Sequence, residues 1–245
     1  MKQRLVLVLF LLLNITPFGS AEAATVVIAS DDWIFTNTGF SSRPVDTANF
    51  ARNLAEYLTG GPGSKIHAYS SFQSLAQSSL VNTLTNAGYD YSTGTGITFD
   101  IQTLSQYDAL FFGSDSLSQS QEGILTEYVN NGGGVYIHGG LGMNNPGGVA
   151  AAWNDFLSQY DIGFGTNFIG LGGATTISST HPLFDGVSSL YMLNGHAIMG
   201  NNVIATTSGG TPLFAAASTV PIPAALWLFA SGLLGLVGII RKRTV

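Results

Sequence analysis

The chain has 245 residues and no cysteine, which excludes thiol catalysis, zinc–thiolate sites and thiol redox roles. Of its eight basic residues, Lys2, Arg4, Arg241, Lys242 and Arg243 lie at the two ends. Over residues 24–217 only Arg43, Arg52 and Lys65 face thirteen carboxylates, a net charge near −10 that repels phosphate backbones, so nucleic acid is not an expected partner.

At the amino end, Lys2 and Arg4 precede an apolar run from Leu5 to Leu13, a polar break at Asn14, Pro17, and Ala21-Glu22-Ala23. A charged start, a short apolar segment and a small-x-small site predict a signal peptide over residues 1–23, read by secretion machinery. The run falls short of the ~20 apolar residues that cross a bilayer.

Residues 24–217 are predicted to form one domain. Thr25 to Ala29 reads as a buried first strand that ends at Ser30-Asp31-Asp32. Phe50, Leu54, Tyr57 and Leu58 recur at helical spacing, with Asp46 or Thr47 as N-cap and Gly60-Gly61 as the stop. Lys65 to Tyr69 gives a second strand, and Phe72 to Leu84 a second amphipathic helix ending near Gly88. A Gly/Thr-rich stretch follows from Ser92 to Thr98. Ala109 to Phe112 is the next buried strand, opening onto Gly113-Ser114-Asp115. Ser118 and Gln121 form a capping box ahead of a helix carrying Ile124, Leu125, Tyr128 and Val129. Gly132-Gly133-Gly134 stops it, Val135 to His138 is a strand, and Val149 to Tyr160 is a further helical face.

Strands alternating with helices predict an α/β fold with a mostly parallel sheet covered on both faces. After Ile162 the pattern changes. Short β-like pieces (174–177, 190–193, 203–207 and 212–215) are predicted to extend a sheet edge or to form a small β-rich C-terminal extension. The 31 glycines lack any fixed period and read as turns and caps.

The last segment, 218–245, holds an uncharged stretch over 224–240, apolar on every face, closed by Arg241-Lys242-Arg243. That predicts a transmembrane helix with the basic end inside and the domain outside. Val220-Pro221-Ile222-Pro223, the apolar stretch and the basic cluster together resemble the PEP-CTERM sorting tail, although Ile222 stands where that pattern has Glu. The resemblance implies an exosortase-like processing enzyme as partner and a final place at the cell surface or in the extracellular matrix.

In open α/β sheets, ligands bind at the carboxyl ends of the strands. Those ends carry Asp31 and Asp32, then Ser114 and Asp115, then His138. Carboxylates near a histidine suit acid/base work or a divalent cation, while ordinary helix capping and a His138 satisfied by a backbone carbonyl is the plainer reading. No Gly-x-Ser-x-Gly elbow, dinucleotide fingerprint or P-loop lysine occurs, so no cofactor is predicted. The Gly-rich run 139–148 reads as a turn or as a cradle for a ligand. His181 and His196 read as structural or surface residues.

Tyr128-Val129-Asn130-Asn131-Gly132-Gly133-Gly134-Val135-Tyr136-Ile137-His138-Gly139-Gly140 resembles the Gly-Gly-Gly-strand-His segment of glutamine-amidotransferase-like domains, including the trehalose-utilisation type. His181-Pro182-Leu183-Phe184-Asp185-Gly186-Val187 is similar to a later element of that group. The resemblance implies a flavodoxin-like fold in which the turn after Ile137 is where amidotransferases carry a nucleophilic Cys. Here His138 stands there, so glutaminase activity is not implied. Two readings follow: a non-catalytic surface module that binds exopolysaccharide or other envelope components, or an exported hydrolase or carbohydrate-modifying enzyme using Asp32, Ser114, Asp115 and His138, with or without a divalent cation.

Overall fold

The computed structural model describes residues 24–70, 73–113, 116–140 and 145–219, and Ala24–Thr219 forms one compact unit. The signal segment, the tail motif residues Val220, Pro221, Pro223, Arg241, Lys242 and Arg243, and the expected helix over 224–240 lie outside the described residues. Among the described residues no helix is long and apolar enough to cross a membrane.

The fold is α/β, with a mostly parallel sheet between helices. Five strands run parallel: β1 (Ala24–Ala29), β2 (Lys65–Tyr69), β3 (Asp90–Thr93), β4 (Ala109–Phe112) and β5 (Gly134–His138). Beyond β1 the edge is continued antiparallel by β9 (Pro212–Thr219) and β8 (Val203–Thr206), giving the order β3-β2-β4-β5-β1-β9-β8. β6 (Ile162–Thr176) and β7 (Ser189–Gly200) form a separate two-stranded antiparallel ribbon. Of the short β pieces expected after Ile162, those at 203–207 and 212–215 extend the sheet edge, while those at 174–177 and 190–193 fall within the two longer strands of the ribbon.

The central parallel strands β1, β4 and β5 are apolar runs because both of their faces are buried. Successive side chains point to opposite faces. Val27 and Ala29 of β1, Phe111 of β4 and Tyr136 of β5 enter one core cluster. Val26 and Ile28, Leu110 and Phe112, and Val135 and Ile137 enter the other. The first cluster is closed by helices α2 (Pro44–Thr59) and α4 (Ser78–Asn86), where fully buried Phe50 stacks between Phe35 and Phe184. The second is closed by α6 (Gln119–Asn130) and α7 (Pro146–Leu157), where Trp153 packs edge-on against Phe112.

Local signals set most boundaries. The Ser118–Gln121 capping box forms, and Gly60 ends α2 in the left-handed conformation at φ 82°. Other expectations are corrected. Helix α2 begins at Pro44, whose fixed φ suits a first helical position. Asp46 is thereby placed in the first turn, free to accept from Ser188 and from the Ser189 N–H at the start of β7. The helix expected over 72–84 is broken in two, α3 (Gln73–Ala76) and α4, because Gln77 is extended (ψ 146°) and its side-chain oxygen takes the Asn37 N–H. The Gly/Thr-rich stretch from Ser92 begins inside β3, a strand not expected from the sequence, which pairs with β2 at the sheet edge.

Candidate functional site

Strand β1 ends in two adjacent carboxylates with different surroundings. Asp31, 2% exposed, accepts three backbone N–H bonds: Trp33 to Oδ1 at 2.7 Å, and Leu193 and Gly195 to Oδ2 at 2.9 and 3.0 Å. Burial, then the neighbouring Asp32 charge, pushes its pKa up to about 8 against the pull of those donors. Burial likewise pushes Asp32 up to about 6.

The ribbon supplies the opposite wall. Register shifts between Phe164 and Leu171 and left-handed backbone at Asn194 (φ 68°) and Gly195 (φ 60°) bend β6 and β7 over the strand ends. Three contacts hold the bend. Asp31 takes the two β7 amides, Ser30 O accepts from His196 N at 2.7 Å, and the Asn154 amide of α7 pairs with the Phe164 backbone in both directions at 2.9 Å. The approach requires glycine after β5. A Cβ on Gly139 would stand 2.6 Å from His196 Cδ2 and 2.8 Å from Ser30 O. One on Gly140 would stand 2.6 Å from the Asp32 side chain.

Between these walls lies a cavity of about 370 Å³ lined by Asp31, Asp32, Trp33, Thr36, Thr38, Ser74, Gln77, Gly139, Gly140, Phe168 and the Leu193–His196 segment. Asp32 faces this space. His138 is buried just behind it: its Nδ1 lies 3.0 Å from Gly139 O and its Nε2 3.1 Å from the hydroxyl of Ser74, which does line the cavity. With Nδ1–H donating to the carbonyl, Nε2 is left to accept from Ser74. Ser114 and Asp115 lie outside the described residues. Among the described residues no three His, Asp or Glu side chains gather as metal ligands.

Two participants were not singled out from the sequence. Ser74 sits in a polar run with no motif around it. His196, read as structural or surface, is 3% exposed, lines the cavity beside Phe168 (ring centroids 5.0 Å) and has no partner at Nδ1 among the described residues. Burial lowers its pKa and keeps the ring neutral. His181 is structural, accepting the Leu183 N–H at 3.3 Å and meeting the Tyr57 ring edge-on. Comparison with models of known protein families, with characterised proteins and with solved structures finds no match.

Proposed function

We propose that this is an exported, tail-sorted surface protein whose α/β domain binds a small ligand at the strand ends without transforming it. The observation that carries the binding reading is the cavity itself. It sits at the carboxyl ends of β1 and β5, where α/β sheets receive ligands, and its walls combine aromatic surface with a few convergent polar groups. The amidotransferase-like, flavodoxin-like reading has support in strand order. The parallel strands follow the spatial order 2-1-3-4-5 of flavodoxin-like sheets once the chain's first strand takes the place of the fifth. The position after Ile137 then holds His138 in a chain without cysteine. Sorting rests on the Pro221-x-Pro223 motif, the 224–240 stretch and the basic end.

Intact mass and fractionation of the protein from its own host test the sorting. The expected product lacks residues 1–23 and the tail and lies outside the cytoplasmic membrane. A mass retaining the tail in that membrane would mean a simple anchor and overturn exosortase processing.

The Ser74–His138 contact favours a second reading, an exported hydrolase in which Nε2 takes the Ser74 proton as its oxygen attacks a carbonyl. Covalent labelling of Ser74 by a fluorophosphonate, absent in Ser74→Ala, would establish it in place of the non-catalytic reading.

A further inference from the structure

Resting on the reading of the cavity as a ligand site, we infer that its ligand is a small organic cation, an amine or quaternary ammonium. Asp32 is the counter-charge and Trp33 and Phe168 are the aromatic walls.

The argument is a census of charge. The ionisable side chains lining the cavity are Asp31, Asp32 and His196. No Lys or Arg occurs anywhere between Lys65 and Arg241, so no neighbouring segment of that long stretch can supply a cation. Asp31 is taken up by three backbone donors, whereas the hydrogen bond recorded at Asp32 is to its own backbone. Asp32 is half-buried, and a partly desolvated carboxylate held without a counter-ion is costly, a cost that a bound cation reduces. A second observation bears on amine ligands: among the described residues His196, 3% exposed, lines the cavity and its Nδ1 has no hydrogen-bond partner. In the Nε2–H tautomer a neutral imidazole holds a lone pair there, which the N–H of an amine ligand can use and a quaternary ammonium cannot.

Other ligand classes fit less well. A divalent cation takes roughly six to eight oxygen ligands, and Asp31's oxygens are already occupied. A neutral sugar brings acceptors as well as donors and leaves the Asp32 charge uncompensated. Aromatic faces attract cations within about 6 Å of the ring centroid, which gives Trp33 and Phe168 a role beside Asp32. The acidic domain surface adds a long-range field that draws cations in.

The test uses the protein in the form recovered from its own host, titrated calorimetrically near neutral pH. The probes are tetramethylammonium, choline, n-butylammonium, the neutral choline isostere 3,3-dimethylbutan-1-ol, and glucose. At least one cation is expected to bind about tenfold or more tightly than either neutral probe, with Asp32→Asn losing about tenfold and Trp33→Leu weakening the quaternary ligands. An unfolding midpoint for Asp32→Asn at or above that of the wild type shows that the loss is not one of folding. Neutral probes that bind as tightly as the cations, or an Asp32→Asn variant that keeps its affinity, overturn the cationic inference and leave the cavity a ligand site. Silence from every probe overturns both.

Discussion

The parallel sheet and the β6–β7 ribbon solve opposite problems with the same backbone. Strands β1, β4 and β5 are short, apolar and buried on both faces, so each residue has a packing reason to be where it is. The ribbon is long, rich in glycine, interrupted by register shifts and largely exposed along its middle. Its position depends on a few polar contacts, of which the Asp31 carboxylate makes two. The sheet therefore supplies rigidity and the ribbon supplies shape, and the cavity exists because one is pinned to the other.

Removing that pin is expected to have the largest effect. Asp31→Ala leaves three buried N–H groups without their acceptor and should cost about 3–5 kcal/mol in a denaturant titration, at roughly 1–3 kcal/mol for each orphaned group with partial relaxation. A loss below about 1 kcal/mol would mean that the ribbon is held by other contacts. Next comes the close approach after β5. Gly139→Ala should cost about 2–3 kcal/mol, since the added methyl meets backbone Ser30 O as well as the His196 ring. Gly123→Ala, in α6 with open space around its Cβ position, should be neutral or stabilising by about 1 kcal/mol.

The carboxylate pair gives a third, smaller effect. Asp31 and Asp32 are raised to about 8 and about 6 from an ordinary 3.8, so the folded state holds protons that the unfolded chain has released. Where the folded state binds more protons, stability falls as pH rises; the loss begins near about pH 4 and is complete above about pH 8. Unfolding midpoints should be higher at about pH 5 than at about pH 8.5. Asp32→Asn should about halve the slope between about pH 4 and about pH 6, leaving the part due to Asp31, and raise stability at about pH 8 by about 2 kcal/mol. A profile that rises with pH would contradict the burial of the pair. The smallest effect concerns the bend itself. Asn194→Gly should change stability by less than about 0.5 kcal/mol, and Asn194→Val should cost about 1–2 kcal/mol, because a branched side chain resists positive φ.

The same contrast explains what could be read in advance. β1, β2, β4 and β5 were legible because burial on both faces leaves an apolar run and glycine marks the ends. The Ser118 cap was legible because its chemistry is local. β3 was not, since an edge strand of Asp90, Tyr91, Ser92 and Thr93 carries no apolar run. Gln77 broke a helix through a bond to Asn37, forty residues away, which no local pattern encodes. At the site, strand-end reasoning found Asp31, Asp32 and His138. Ser74 and His196 were missed because their places depend on β2 running beside β4 and on the ribbon folding back. The glycines of 139–140 were noticed as a run, and only the packing of His196 and Asp32 against them shows why side chains are not tolerated there.

The most direct test of the pinned-ribbon account is amide hydrogen exchange of the wild-type full chain against Asp31→Ala, which removes the acceptor of both β7 amides. The account predicts that amides of 193–195 accelerate at least about tenfold more than those of 109–112 in the variant. Unchanged exchange at 193–195, or equal acceleration in β4, would contradict it.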